Sequence, residues 1–210
     1  MNAVELLDAV QDANETELSR LGSSKSLYAA TGGEMEAEAV LRAAADAEYH
    51  AGETFEEWAR TEEADSPAQQ AFAAAADEEG DHYETVVSKL DGHEPSDDPS
   101  EMQQYLRDLD DTVERAGGFL GRVLATEKSK DQLVGFFVGQ ADPQTAQTFR
   151  DLRGDLDDQR ERALDLLEEV CEDEDDWERA ETAANEAVQH AYEEYVEQLE
   201  SMGVNPKPVC

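Results

Sequence analysis

The sequence predicts an all-α protein, built as an antiparallel helical bundle of six or seven helices. Residues with high helix propensity, chiefly alanine, glutamate, leucine, glutamine and arginine, dominate the 210-residue chain. Apolar residues recur at the spacing of one helix face over most of its length. The prolines fall at breaks between these segments or at first helical positions. Together these patterns favour helices that pack against one another through apolar stripes.

Helix-breaking residues set the predicted boundaries in the first half of the chain. A first helix is expected to end at Gly32 and Gly33. Ser66 is suited to cap a third helix, because Pro67 follows it at the first helical position. A polar linker over residues 91–99 separates this half from the rest. The predicted helices here cover residues 2–31, 34–63 and 67–90.

Capping and helix-breaking residues also set the predicted helix boundaries in the second half of the chain. Ser100 is suited to cap a fourth helix, and Asp142 with Pro143 opens a sixth. Residues 128–140 form either a fifth helix or the tail of the fourth. Gly203 is suited to end a seventh helix. That seventh helix covers residues 177–202, and bends in the fourth are expected at Gly117, Gly118 and Gly135.

The net charge of the chain is unusually negative. The chain carries 53 acidic and 16 basic side chains, for a formal net charge of −37. Low hydropathy with such a charge can mean disorder, but sustained heptads with aromatic residues on their seams argue against disorder here. Only five of the basic residues are lysines, so we interpret the surface as halophilic, adapted to salt that screens self-repulsion. The sequence has no basic stripe to neutralise phosphates, so we expect no direct nucleic-acid partner.

Targeting and redox signals are sparse. No run approaches the roughly 18 to 20 apolar residues of a membrane span. The N-terminus lacks the basic region and apolar stretch that are typical of a signal peptide. Cys171 and Cys210 form neither a CxxC motif nor a metal-type spacing. We therefore expect a cytoplasmic protein with free thiols and no membrane association.

An internal repeat is visible in the pattern of the helices. The residues around Glu17 match those around Glu127, and the seam around Glu48 matches the seam around Gln159, at an offset of 108 to 111 residues. This indicates a duplicated three-helix unit, whose second copy has lost polar seam residues. The predicted organisation is a first unit with a candidate metal cluster, a linker with the start of helix 4, a second, degenerate unit and a C-terminal tail: 1–93, 94–111, 112–203 and 204–210.

Three predicted helices each place a glutamate on their own apolar seam. Glu17, Glu48 and Glu79 occupy these positions, and His82 lies one turn after Glu79. A buried carboxylate is costly unless it is paired, protonated or bound to a cation. Three such carboxylates at one level of a bundle indicate a ligand shell for a metal ion.

The spacing of the acids matches part of a carboxylate-bridged metal site. Such sites in four-helix bundles take one glutamate from each of two helices and a Glu-x-x-His pair from each of the other two. Glu79 and His82 form one such pair on one helix face. Glu17 and Glu127 are suitable single glutamates, and Glu48 begins a second pair whose histidine is missing. The predicted ligands, for iron or manganese, are Glu17, Glu48, Glu79, His82 and Glu127.

A metal-free polar network remains open as an alternative. In that case Arg20, Asn14 or Tyr83 would donate hydrogen bonds to the buried acids. If a metal is bound, Tyr83 is instead expected to donate a hydrogen bond beside the ligands. His50 lies roughly 200° around its helix from Glu48, so we expect it to be exposed.

Two helix segments resemble the signatures of rubrerythrin-type, ferritin-like proteins. They are Glu79-Gly-Asp-His82-Tyr83-Glu84 and Asp46-Ala-Glu-Tyr-His50-Ala. The chain as a whole resembles an acidic haloarchaeal branch of that superfamily, and its likeness to rubrerythrins proper covers about residues 17–90. The resemblance implies a ferritin-like bundle with a di-iron centre that reduces peroxide or oxygen, or oxidises iron(II). If the chain is an enzyme, we expect a di-iron oxidoreductase of this type.

The chain departs from that family in two respects. It lacks an intact second Glu-x-x-His motif, which makes the predicted site degenerate. It also lacks a rubredoxin-like CxxC tail, so a peroxidase of this kind would need another electron donor.

A function of a different class is the alternative. The chain would then be a non-catalytic helical interaction or regulatory protein, for example one linked to transcription, that has lost its metal site. It would present helix faces to a protein partner or to a second copy of itself. A homo-oligomer or a protein partner is expected in either case, and fold alone does not decide between them.

Overall fold

The computed structural model describes residues 1–207, so Cys210 and the end of the predicted tail lie outside the described residues. It confirms the all-α class, with nine helices in this range rather than six or seven. The helices are α1 (Ala3–Ala13), α2 (Glu15–Leu21), α3 (Lys25–Ala30), α4 (Ala37–Thr61), α5 (Pro67–Val87), α6 (Glu101–Arg107), α7 (Thr112–Gly139), α8 (Pro143–Val170) and α9 (Glu174–Ser201).

The predicted first helix is three short helices. Asn14 ends α1, because its side-chain amide donates to the Val10 carbonyl oxygen at 2.8 Å and also to the Asn185 side chain of α9 at 2.6 Å. Asparagine competes with helical hydrogen bonding in this way. Gly22 then ends α2. The heptad seam that the sequence suggested across residues 2–31 therefore does not continue through one helix.

Helix α7 runs without a break through all the glycines at which bends were predicted, and residues 128–140 are mostly part of it. A Cβ atom on Gly117 would lie 2.1 Å from the Ala180 carbonyl oxygen, and one on Gly121 would lie 2.2 Å from that of Ala184. These glycines therefore allow α7 and α9 to approach closely, which is a packing role and not a bend.

Four long helices form an antiparallel bundle. Short loops join α4 to α5 and α7 to α8, so each pair packs as a hairpin, and α5 lies against α8. Helix α9 covers another side of α7, and α1 to α3 pack on α7, α8 and α9. Helix α7 is consequently surrounded and is buried along most of its length. Among residues 1–207, no helix combines the length and the apolar character that crossing a bilayer requires.

Two apolar cores fill opposite ends of this bundle. One contains Phe55, Phe72 and Phe119, with further residues of α8 and α9. The other contains Leu41 and Phe137, with residues of α5 and α8. Because both cores draw on α4, α5, α7 and α8, the residues between them on these helices form a layer with apolar packing above and below.

We expect the close contact between α7 and α9 to be sensitive to a single methyl group. Gly117→Ala and Gly121→Ala should each lower the free energy of unfolding by about 1–3 kcal/mol through overpacking against backbone. Gly154→Ala is the matched control, because Gly154 is an exposed position in α8 with open space around it. That change should raise stability by about 0.5–1 kcal/mol through helix propensity. Urea unfolding in molar salt measures all three, and equal stabilisation by all three would contradict the packing role.

Candidate metal-binding site

Three residues predicted as ligands meet in the layer between the two cores. Glu48 of α4 and Glu79 and His82 of α5 are all at least 97% buried. His82 Nδ1 lies 3.7 Å from Glu48 Oε2 and 3.9 Å from Glu79 Oε2. One ligand atom from each of the three residues lies within 4.8 Å of the others.

Basic side chains from α7 neutralise both carboxylates. Lys130 Nζ donates to Glu48 Oε1, and Arg122 Nη1 donates to Glu79 Oε1 at 2.9 Å. Gln159 of α8 also donates to Glu79 Oε1, at 2.7 Å, and accepts from Arg122. Lys130 and Arg122 are each only 1% exposed. The cluster of Glu48, Glu79, Arg122 and Lys130 therefore carries two negative and two positive charges, and both units of the predicted repeat contribute to it.

These basic partners were not predicted from the sequence. The metal-free alternative named Arg20 and Asn14, but Arg20 donates to Tyr192 and Asn14 bonds with residues of α9. A usable signal did exist for Lys130. It lies seven residues from both Val123 and Phe137, the same seam pattern that identified the buried acids.

Each of the three predicted ligands has one side-chain atom without a hydrogen-bond partner in residues 1–207: Glu48 Oε2, Glu79 Oε2 and His82 Nδ1. Glu79 Oε2 has an ionic contact, since Arg122 Nη2 lies 2.8 Å away, but this contact is not aligned as a hydrogen bond. Because one ligand atom from each residue lies within 4.8 Å of the others, a point exists that is about 2.8 Å or less from all three, which approaches the roughly 2.0–2.2 Å of metal bonds to nitrogen and oxygen. Glu48, Glu79 and His82 can therefore hold one metal ion.

Asp155 of α8 orients the histidine. Its Oδ2 lies 3.0 Å from His82 Nε2. With the proton on Nε2, His82 donates to Asp155 and directs the lone pair of Nδ1 towards the two glutamates. A carboxylate in this position is the usual neighbour of a metal-binding histidine.

The local charges shift the pKa values of Glu48 and His82. Burial raises the pKa of Glu48, but Lys130 and His82 lower it more, so the pKa lies well below the usual range. Burial lowers the pKa of His82, but the neighbouring carboxylates of Glu48 and Glu79 outweigh this, so the pKa of His82 is raised. Glu48 is consequently ionised at neutral pH although it is buried.

Two of the five predicted ligands lie elsewhere. Glu127 of α7 forms ion pairs with Arg160 and Arg153 of α8, while burial raises its pKa. Glu17 is half-buried on α2, which packs on α7 and α9. Neither belongs to the group with Glu48, so the structure does not assemble the predicted two-metal set.

Other polar residues also differ from expectation. The hydroxyl of Tyr83 lies 3.3 Å from His93 Nδ1 in the linker, so Tyr83 is not a donor beside the cluster. His50 is buried rather than exposed, because Arg107 of α6 covers it and donates to its backbone oxygen at 3.1 Å. Asp46 holds the linker to α4: it accepts from the Ser96 backbone N–H at 2.9 Å and lies 3.2 Å from His93 Nε2.

A second group of metal-type side chains lies at the surface. Glu101, His190 and Glu193 bring ligand atoms within 4.8 Å of one another, but they are half-buried or exposed. The His190 ring stacks on Tyr105 at 4.8 Å between centroids, which accounts for its position without an ion.

Breaking the ion pair between Lys130 and Glu48 should leave an uncompensated buried charge. In metal-free protein, Lys130→Met should lower the free energy of unfolding by about 3–5 kcal/mol. The double variant Glu48→Gln/Lys130→Met should recover much of that loss, because it removes both charges. Arg42→Met is the control: it breaks an exposed pair with Glu38 and should cost less than about 1 kcal/mol. A double variant no more stable than Lys130→Met would contradict the pairing.

The same pair should make stability depend on pH. Because the pKa of Glu48 is lowered in the folded state, its contribution is present above the ordinary carboxyl pKa and is lost as the pH falls below it. We therefore expect the stability difference between the unmodified chain and Lys130→Met to shrink between pH 7 and pH 3. Urea unfolding across this range, with a chelator present, measures the difference. A difference that grows on acidification would show that Glu48 is not the group responsible.

Comparisons with known proteins do not assign the chain to a family. A scan against protein-family models and searches of curated proteins and of solved structures gave no match. The resemblance to rubrerythrins therefore stays a prediction that depends on the residues quoted for it.

Proposed function

We propose that the chain is a metal-binding protein that holds a single transition-metal ion through Glu48, Glu79 and His82. The observation that carries the proposal is the convergence of three atoms without hydrogen-bond partners in residues 1–207, one from each of these buried residues. Polar atoms without a partner are costly inside a protein. When His82 is neutral with its proton on Nε2, its Nδ1 and the two carboxylate oxygens are acceptors close to one another, an arrangement that a cation satisfies. The contact between His82 and Asp155 supports the proposal independently.

The donor set suits iron or manganese, as the resemblance to rubrerythrin-type proteins also suggests. Imidazole and carboxylate together bind divalent first-row metals, and iron or manganese would supply one-electron redox chemistry when bound. The chain itself would hold the ion with three side chains and keep it between two apolar cores. Glu17 and Glu127 lie outside the group, so the proposal is one ion per chain and not a di-iron centre.

Lys130 and Arg122 would set the affinity of this site. Each already neutralises one of the two carboxylates. A divalent ion would therefore add to two nearby positive charges, with Asp155 next to His82 as a further acid. We expect weak binding, because the basic side chains compete with the metal for the same carboxylates.

The same basic side chains favour a second candidate function. A cluster with two acids and two bases needs no ion, and this is what a bundle that has exchanged its metal for internal ion pairs would contain. The chain would then be a helical interaction or regulatory protein, with a homo-oligomeric or other protein partner.

Metal titration separates the two functions. Protein stripped of metal should bind about one Mn²⁺ or Fe²⁺ per chain, and Lys130→Met should bind the ion at least tenfold more tightly, because a competing charge is gone. His82→Ala should lose the binding, whereas Glu127→Gln is the control that should keep it. Calorimetry and elemental analysis in high salt give the stoichiometry.

The metal titration can also give a result that contradicts the metal-binding proposal. If neither the unmodified chain nor Lys130→Met binds an ion, and a chelator leaves the melting temperature unchanged, the metal-binding proposal is wrong. The second function then remains.

A further inference from the structure

A cavity of about 430 Å³ lies between α4 and α7, on the side away from α5 and α8. Helices α3, α6 and α9 and the linker complete its walls. Apolar and aromatic side chains from four helices face it, among them Leu27, Val40, Ala125 and Tyr195. This volume falls within the range of about 300–1,000 Å³ that is typical of small-molecule sites.

The charged side chains of the cavity wall are mostly acids. Its two basic residues, Arg122 and Lys130, are each neutralised by a buried glutamate of the metal-type cluster. Three further acids line the cavity: Asp46, Asp98 and Glu194. Asp98 is exposed, whereas Glu194 is half-buried. The charge that is left unmatched along the wall is therefore negative.

The carboxylate of Glu194 lies at the cavity wall. Ala191, one turn earlier on α9, also lines the cavity, so the two residues share the face of α9 that is turned towards it. Glu194 Oε2 accepts a hydrogen bond from the Glu101 backbone N–H of α6 at 3.2 Å. The residues on either side of this N–H, Ser100 and Met102, line the cavity as well.

Glu194 has no counter-ion. None of the ion pairs within residues 1–207 includes it. Burial raises the pKa of its carboxyl, and the acids Glu101 and Glu197 raise the pKa further, which outweighs the backbone hydrogen bond. Its second oxygen, Oε1, accepts no hydrogen bond within the described chain and is not fully enclosed. This oxygen is therefore free to accept from a ligand.

The unmatched charge and the apolar walls together select the kind of ligand. A carboxylate that is partly removed from water is stabilised by a nearby cation. A primary ammonium group supplies one positive charge and three N–H donors, and an apolar body attached to it would cover the apolar walls. A hydroxyl group would leave the charge of Glu194 unmatched, and a carboxylate would add to it.

We propose that this cavity binds a primary amine with an apolar body, with the ammonium group at Glu194 and the body between α4 and α7. A dry cavity of about 150 Å³ is enough for benzene, so this one has room for an alkyl chain of about eight carbons. The inference uses Glu194 and the cavity, and it does not depend on the metal site.

The test uses octylammonium with the full-length protein, from which metal and chelator have been removed. Molar salt screens the exposed acids of the surface, which would otherwise attract any cation. Calorimetric titration should show saturable binding at about one site per chain. 1-Octanol and octanoate, which share the alkyl chain, should bind at least about tenfold more weakly. The metal is absent from this experiment, so its outcome is separate from that of the metal titration.

A charge-removing variant identifies the residue responsible. Glu194→Gln keeps an oxygen that can accept from the Glu101 N–H, and it should weaken octylammonium binding at least about tenfold while octanol binding stays within about twofold. Glu193→Gln is the matched control, because it removes the same charge from the neighbouring exposed position, which does not line the cavity. That variant should bind octylammonium within about twofold of the unmodified chain.

Variants that fill the cavity locate the apolar body. Ala191→Leu should weaken octylammonium binding at least about tenfold, because the added side chain occupies the space of the alkyl chain. If Ala191→Leu lowers the melting temperature, Ala43→Leu replaces it on the α4 wall, where Ala43 is half-buried. Ala64→Leu is the control at an exposed position and should bind octylammonium normally.

Three outcomes overturn the proposal. They are octylammonium binding that does not saturate, octylammonium binding that is undiminished in Glu194→Gln or in a folded cavity-filling variant, and octanol binding as tightly as octylammonium. The second would show that acids elsewhere on the surface attract the amine. The third would show that Glu194 is a solvated carboxylate that recognises no ligand.

Discussion

The pairing of two buried glutamates with two buried cations is the constraint on which this bundle depends. Glu48 and Glu79 lie between two apolar cores, where an unpaired carboxylate would cost several kcal/mol. Lys130 and Arg122 of α7 remove that cost, and they fix α7 in register with the hairpin of α4 and α5. An apolar core tolerates small shifts between helices, whereas a buried ion pair does so poorly because its hydrogen bonds are directional. The polar layer thus determines how the two hairpins meet.

Much of this arrangement could be predicted from the sequence, because its signals are local. A seven-residue spacing is a property of one helix, and it was sufficient to identify Glu48 and Glu79 as inward-facing. His82 followed from its position one turn after Glu79 on the same helix. The all-α class and the openings of α5 and α8 at Pro67 and Pro143 also follow from short-range patterns. The same spacing, applied to basic residues, would have identified Lys130.

Other features depend on contacts between distant residues, which one sequence does not encode visibly. Glu17 was placed on a seam by extending one helix through residues 2–31, but it lies beside the buried face of α1 and α2 and not on it. That face consists of Leu6, Val10, Asn14, Leu18 and Leu21. The glycines of α7 were interpreted as bends because their packing partners, Ala180 and Ala184, lie far away in the sequence. Glu127 belongs to a seam, yet the arginines that pair with it come from α8.

The attachment of the linker to Asp46 has a consequence for how this protein can diversify. The linker is tied to α4 through the two contacts of Asp46, one with the Ser96 backbone N–H and one with His93. Substitutions in the linker can change this surface without disturbing the buried ion pairs. No residue of the linker takes part in the ion pairs of Glu48 and Glu79. Sequence changes in the linker can therefore alter this part of the surface while the buried charges of α4, α5 and α7 stay as they are.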